Sequence, residues 1–102
     1  MTIKKRREEL QDILESICKH VYFQPPESLK MIYPCIVYSR NSIKATRADN
    51  SAYLLHTAYS MRYISKSIDD DTVERLALLP KCRHTGHYAK DNLHHDSYEI
   101  YY

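Results

Sequence analysis

Residues 21–40 read VYFQPPESLKMIYPCIVYSR. In this stretch a short aromatic strand runs into Pro25 and Pro26, and Tyr33 and Pro34 precede a second apolar strand. Each proline fixes φ at about −65° and favours extended geometry in the residue before it, so the connector is rigid without being regular. This pattern predicts a small domain whose connector holds a surface in shape, and it does not resemble the polar residues of an active site.

Residues 3–20, which precede this stretch, predict an amphipathic helix. Apolar residues recur mainly at three- and four-residue intervals and so form one stripe: Ile3, Leu10, Ile13, Leu14, Ile17 and Cys18. The basic run at residues 4–7 lies in the first turn, where the helix dipole disfavours positive charge. Either this turn is solvated, or the basic run contacts an acidic neighbour such as a protein ring or DNA.

The residues that follow predict strands. Residues 35–40 favour a central strand, residues 42–47 a weaker one, and residues 48–51 supply the turn of a hairpin. From Tyr53 to Ser65 apolar and mixed positions alternate, which is typical of a strand with one buried face. Such a strand spans about 43 Å. We expect its far end to project beyond the core, where it could pair with a neighbouring subunit.

A second helix is predicted after the acidic run at residues 69–71. Acidic residues suit a helix N-terminus, and Pro80 ends the helix. The acidic run lacks the interleaved ligands, the glycine and the distal glutamate of a calcium loop. Residues 81–102 predict two strands around a loop at residues 90–96, and Tyr98, Ile100 and Tyr102 share one face of the last strand.

Together these segments predict one α+β domain over residues 1–102. It contains a mainly antiparallel sheet of four to five strands with two helices packed on it, in the order α-β-β-β-α-β-β. The predicted core contains Leu10, Ile13, Leu14, Ile17, Ile36, Tyr59, Met61, Leu76 and Leu79.

The composition excludes several classes of function. The one glycine, Gly86, rules out phosphate loops and dinucleotide fingerprints, and a net charge of +2 is low for a dedicated nucleic-acid binder. No run approaches the roughly 18 apolar residues of a membrane span, so we expect no membrane partner. Three irregularly spaced cysteines favour reduced thiols in a cytoplasm, with Cys18 and Cys35 as small core residues.

Five residues near the C-terminus could carry chemistry: Cys82, His84, His87, His94 and His95. A zinc site at Cys82, His84, His87 and His94 would require the connecting loop to fold back. A ribonuclease would use His84, His87 or His95 as acid or base and Arg83 on phosphate. The near-neutral charge disfavours the second reading. We expect exposed histidines, with no catalytic residue, cofactor or metal.

Several runs are similar to those of a known family. The VYFQPP run at residues 21–26, the YPCIVY run at residues 33–38, LPKC at residues 79–82, DNLHHD at residues 91–96 and the terminal Tyr101 and Tyr102 resemble small tail terminator, or tail completion, proteins of tailed bacteriophages. The resemblance covers most of residues 21–102. It rests on packing residues in a recurring order, not on a catalytic signature.

The resemblance implies a virion structural protein at the tail–neck junction, assembled in the host cytoplasm. Such a protein forms a homo-oligomeric ring, commonly a hexamer, that caps the tail tube and ends its growth. The tube protein contacts one ring face and the neck or connector protein the other. DNA passes through the lumen without sequence-specific binding.

We expect the contact surface to use aromatic residues that the core cannot absorb. They are Tyr22, Phe23, Tyr33, Tyr38, Tyr98, Tyr101 and Tyr102. Tyrosine suits interfaces because its ring is apolar and its tip polar. The alternatives are a neck adaptor or head-closure protein, or a small nucleic-acid-binding or ribonuclease accessory protein.

Overall fold

The computed structural model describes residues 3–26, 28–48, 51–67 and 70–102, and it describes side chains outside residues 44–56. Its elements follow the predicted order. They are α1 (Ile3–Ile17), β1 (Val21–Phe23), β2 (Cys35–Ala48), β3 (Ser51–Ser65), α2 (Asp71–Ala77), β4 (Cys82–Lys90) and β5 (Leu93–Tyr101). The predicted α+β class and element order are confirmed.

The five strands form one sheet in the order β1-β2-β3-β5-β4. β1 runs parallel to β2, and the other three neighbouring pairs are antiparallel. Both helices pack on the same face, because α1 contacts β1, α2 contacts β4, and the two helices contact each other. In the described residues, neither helix has the length and apolar character that crossing a membrane takes.

The core lies between the helices and this face of the sheet. Its buried members are Leu10, Leu14, Cys18, Ile36, Tyr38, Tyr59, Met61, Tyr63, Leu76, Tyr98 and Ile100. Six of the nine predicted core residues are therefore confirmed as buried; Ile17 and Leu79 pack against the core while partly exposed, and Ile13 is half-buried. Cys18 and Cys35 are buried, as predicted, and all three cysteines are free thiols.

Two of the core tyrosines hydrogen-bond to the helices through their hydroxyl groups, whereas the buried hydroxyl of Tyr59 has no hydrogen-bond partner among the described residues. Tyr38 donates to the side chain of Gln11 on α1, and the Tyr98 Oη donates to the carbonyl oxygen of Val73 on α2 over 2.9 Å. A buried hydroxyl without a partner costs stability, so these two bonds offset the cost of placing Tyr38 and Tyr98 beneath the helices.

The long strands β2 and β3 extend beyond the rest of the sheet. β1 pairs with β2 only up to Tyr38, and β5 pairs with β3 only from Ala58 onward. Residues 43–48 and 51–57 pair with one another across the hairpin, and we call them the hairpin arm. The molecule accordingly measures 52 × 26 × 23 Å.

Two local predictions are wrong. Residues 35–40 and 42–47 form one strand, because a β-bulge at Asn41 changes the register without ending the pairing. The loop predicted at residues 90–96 is a turn of two residues, Asp91 and Asn92, both with positive φ, and His94 to Asp96 lie within β5. The predicted turn at Asp49 and Asn50 lies outside the described residues.

Candidate functional site

The most polar cluster near the core surrounds Asp96 on β5. This residue is only 7% exposed, and its Oδ1 lies 3.0 Å from His84 Nε2 and 3.1 Å from His87 Nδ1. Residues three apart on a regular strand face opposite sides. The register of β4 shifts between His84 and Gly86, and this shift places both histidines on the helix side of the sheet.

A third histidine adjoins the cluster. His94 stacks on His87 with ring centroids 5.5 Å apart. In the tautomers that donate to Asp96, His84 and His87 leave their other ring nitrogens as acceptors. The two side chains are 38% and 34% exposed, so water reaches them. The arrangement could exchange protons with a bound group.

The other parts of the ribonuclease alternative lie on the opposite sheet face. Arg83 pairs there with Glu99, Nη2 to Oε1 over 3.6 Å. His95 stacks flat on Tyr88, with ring centroids 4.5 Å apart, and burial lowers the pKa of His95, assisted by the charges of Arg62 and Lys90. Arg83 and His95 therefore do not join His84 and His87 in one site.

The positions of Cys82 and Asp70 bear on the zinc site and the calcium loop that were considered from the sequence. Cys82 lies on the same sheet face as the three clustered histidines, but burial raises the pKa of its thiol to about 11, which disfavours a thiolate ligand. Asp70 caps α2 through its side chain. Across the described residues no group of three or more His, Cys, Asp or Glu side chains has the arrangement that a metal ion requires.

A second candidate site is a groove of about 510 Å³ between α1 and the C-terminal residues. Its lining is mainly apolar and comprises Arg6, Glu9, Leu10, Ile13, Leu79, Pro80, Lys81, Ile100, Tyr101 and Tyr102. Tyr102 Oη donates to Glu9 Oε2 over 3.0 Å and so fixes one wall of the groove. Partial burial, together with the nearby Glu9 carboxylate, raises the pKa of Tyr102 and keeps it a neutral donor.

The predicted contact aromatics divide into two groups. Tyr38 and Tyr98 are 1% and 2% exposed, so they are core residues and do not belong to a contact surface. Each lies opposite a core residue of β3, Met61 in both cases, so strand alternation places them inside. Tyr101 and Tyr102 line the groove.

The remaining three aromatics are half-buried around the proline connector. Phe23 packs on Tyr38, with ring centroids 4.9 Å apart, and carries the Arg7 guanidinium over its ring at 4.5 Å. Tyr22 Oη accepts from the backbone N–H of Ile32 over 3.2 Å. Tyr33 precedes Pro34 through a cis peptide bond.

Sequence reasoning missed two features of the surface. Leu29 and Ile32 in the connector are 41% and 59% exposed, although both are apolar. The Asp96 cluster depends on strand pairing between β4 and β5 and on the bulge, which residue spacing alone does not reveal. The pattern of residues 28–32, apolar positions inside a segment stiffened by prolines, was the available signal for the first feature.

Comparison of the chain with models of known families, with curated proteins and with solved structures gives no match.

Proposed function

We propose that this chain is a virion structural protein that forms a tail terminator ring at the head-proximal end of a phage tail. The resemblance of its packing runs to that family motivates the proposal, and the hairpin arm is the observation that supports it best. The arm carries two strand edges that neither β1 nor β5 covers. Such edges are templates for pairing with another chain.

A ring that caps a tube needs a heterologous contact between neighbours and two unlike faces. The chain offers unlike surfaces for these contacts: the arm, the apolar groove beside Tyr102, and the exposed connector. In this proposal the ring meets the tube protein on one face and the neck protein on the other, while DNA passes through its lumen. An adaptor or head-closure ring would require similar surfaces and is the nearest alternative.

Electron microscopy of lysates from a phage with an early stop codon in this gene tests the proposal. We expect over-long or ragged tails beside separate filled heads, because nothing would stop tube growth. Tails of normal length beside leaking or empty heads would instead indicate that the protein is a neck component. Normal infectious particles would reject a role in the virion.

The C-terminal tyrosines give a narrower test. Deleting Tyr101 and Tyr102 is expected to impair assembly more than folding, because both residues line the open groove. Complementation titre and thermal unfolding of the same variant measure the two effects. A truncated protein that still builds infectious particles would show that these two residues are not needed for the contacts of assembly.

The Asp96 cluster favours a second candidate function, acid–base catalysis on a phosphodiester. One of His84 and His87 would take a proton from the attacking hydroxyl, and the other would protonate the leaving oxygen. RNA incubated with the purified protein tests this function. Cleavage that disappears in His84→Gln and His87→Gln, and persists in His20→Gln, would support it, and intact RNA would reject it.

A further inference from the structure

The sheet face that carries no helix contains a depression of about 380 Å³. Both helices pack on the other face, which also holds the Asp96 cluster. The depression spans four strands, and its polar lining consists of Ser39, Ser60, Arg62, Thr85, Ser97 and Glu99. Its volume falls in the range that small ligands occupy.

Strand register brings these side chains together. On β3, Ser60 and Arg62 flank the core residue Met61, so they point away from the helices. Ser60 pairs with Ser39 on β2, and Arg62 pairs with Ser97 on β5. Because neighbouring strands lie about 4.8 Å apart and same-face residues along a strand about 6.7 Å apart, short serine side chains adjoin the base of the long Arg62 side chain.

The hydroxyl groups of this lining are available to a ligand. In the described parts of the chain no hydrogen bond uses the side-chain hydroxyls of the lining, which belong to Ser39, Ser60, Thr85 and Ser97. All four residues are exposed or half-buried, and each hydroxyl can donate one hydrogen bond. The lining therefore offers four neutral donors from four strands.

The guanidinium of Arg62 is held at the depression by an aromatic stack. Its Nη1 donates to Tyr88 Oη over 3.2 Å, and the Tyr88 ring stacks on His95. A guanidinium has five N–H donors, so this bond leaves most of them free. Among the described residues Arg62 forms no ion pair with a carboxylate. Its charge is therefore fixed in position without being neutralised by these residues.

The other charges near the depression do not cancel that of Arg62. Glu99 is the one acidic residue of the described lining, and it pairs with Arg83, Nη2 to Oε1 over 3.6 Å. Lys90 and Asp91 lie farther along, in the hairpin of β4 and β5. These three cations against two carboxylates leave one positive charge.

The titration of His95, beside Tyr88, indicates the same sign. Burial lowers the pKa of His95, and the charges of Arg62 and Lys90 each lower it at least as much as that of Asp91 raises it. The electrostatic potential at this part of the sheet face is therefore positive, which favours an anionic ligand.

We propose that this depression binds a phosphate group, with the Arg62 guanidinium and the lining hydroxyls as donors to its oxygens. Arginine matches phosphate with parallel N–H donors. Donors that converge from four strands suit a group with at least three acceptor oxygens better than a carboxylate, which has two. Inorganic phosphate, a nucleotide and a nucleic-acid strand share this chemistry. Phosphate binding goes beyond the tail function and does not rest on it.

NMR titrations of the nitrogen-15-labelled protein test the site. We expect the backbone amide signals of Ser60, Arg62 and Ser97 to shift and saturate with sodium phosphate, adenosine monophosphate or a short oligothymidine. Saturation by either of the first two identifies a free phosphate compound as the ligand, whereas saturation by the oligothymidine alone identifies a phosphodiester strand. No saturation by any of them up to about 10 mM would overturn the proposal, as would equal affinity for sodium acetate.

Arginine variants test the charge. Arg62→Gln should weaken binding at least about tenfold, because it removes the one uncompensated charge of the lining. Arg62→Lys keeps the charge but loses the parallel donors, so it should retain only part of the affinity. Arg75→Gln is the matched control, since Arg75 is an exposed arginine on α2, on the other side of the sheet. Wild-type affinity in Arg62→Gln would reject the site.

Variants of the other lining residues test the arrangement of donors. Glu99→Gln removes the acidic side chain of the lining and should tighten phosphate binding about two- to fivefold. Ser60→Ala and Ser97→Ala should each weaken it about two- to tenfold, the range of a neutral hydrogen bond. Thermal unfolding shows whether each variant is folded. Weaker binding by folded Glu99→Gln, or serine variants that bind like the wild type, would contradict this arrangement.

Discussion

The carboxylate of Asp70 connects α2 to the central strand of the sheet. Its Oδ1 accepts from the backbone N–H of Thr72 over 2.9 Å, which caps the helix, and its Oδ2 accepts from Tyr63 and, over 3.4 Å, from Ser65. Burial alone would raise the pKa of Asp70, but the bonds from Tyr63, Thr72 and Ser65 outweigh it and leave the pKa below its usual value. Burial, together with the same contact, raises the pKa of Tyr63 to about 12.

Asp70→Asn is expected to reduce the free energy of unfolding at pH 7 by about 1–3 kcal/mol, because charged hydrogen bonds are stronger than neutral ones. A carboxyl whose folded pKa is depressed stabilises the fold above its unfolded pKa of about 4 and loses that effect as pH falls through the lower folded value. Urea unfolding at pH 7 and at pH 3 should therefore show a smaller difference between variant and wild type in acid.

Asp71→Asn is the control for this prediction, since Asp71 is exposed and lies in the same helical turn. A difference between Asp70→Asn and wild type that stays constant down to pH 2 would contradict the role of the charge.

Residue types predicted part of this chemistry. The acidic run before α2 predicted a cap, because aspartate at that position satisfies free backbone N–H groups. The partners of Asp70 on β3 could not be predicted, since they depend on where the helix returns to the sheet. Tyr38 was predictable as a core residue, because it alternates with Ile36 on one face of β2.

One narrow stripe of apolar residues holds helix α1 to the core, as the spacing of those residues in the sequence predicted. Leu10 and Leu14 are fully buried, while Ile13, one residue from that stripe, opens onto the groove. Periodicity places all three on the same side of the helix, but the boundary between core and groove depends on the path of the C-terminal residues. The pairing of β5 with its neighbouring strands sets that path, and the spacing of apolar residues along a helix does not predict it.

Leu14→Ala is expected to destabilise the protein by about 2–5 kcal/mol, because it leaves a cavity in the core. Ile13→Ala should cost about 1 kcal/mol or less, because the side chain is half-buried and borders open space. Denaturant unfolding of both variants measures the difference. Equal losses would mean that Ile13 is a core residue in solution.

The turn between β4 and β5 has the geometry of a tight hairpin. Lys90 pairs with Leu93, and the two residues between them have φ of 54° and 63°, the values of a type I′ turn. Asp-Asn is a pair that tolerates this geometry, so the sequence contained the signal that we read as a longer loop.

Asn92→Val should cost about 1–2 kcal/mol in unfolding free energy, because a β-branched residue is strained at positive φ. Asn92→Gly, the matched control, relieves that restriction and should leave stability near that of the wild type. Wild-type stability in the valine variant would show that the turn adopts another conformation.

At the scale of the whole molecule, a five-stranded body carries a two-stranded arm. The body holds the helices, the groove and the Asp96 cluster, whereas the arm residues pair with one another and contact the body strands through one further backbone bond, from Tyr102 N–H to the carbonyl oxygen of Thr57. The alternation from residue 53 onward predicted a long strand that projects from the core. The bulge at Asn41, which lets β2 follow β3 along the arm, has no clear signature in the sequence.

Replacing residues 44–56 with Asn-Gly, so that the new turn joins Ile43 to Thr57, should shorten the arm and leave the body folded. Ile43 pairs with Thr57, and the carbonyl oxygen of Thr57 still accepts from the backbone N–H of Tyr102, over 2.9 Å in the intact chain. We expect cooperative thermal unfolding to be retained and phage complementation to be lost. Full complementation by the shortened chain would show that the arm is not one of the surfaces used in assembly.

The arm also has a consequence for how the cell must supply this chain. In the proposed assembly, the edges that β1 and β5 leave uncovered stay available from synthesis until a neighbouring chain covers them, and copies made in excess can add to one another as strands without any ordered end point. Overproduction without partners therefore favours inclusion bodies. Production matched to consumption keeps the free pool small, so the timing and rate of translation become part of what keeps this protein usable.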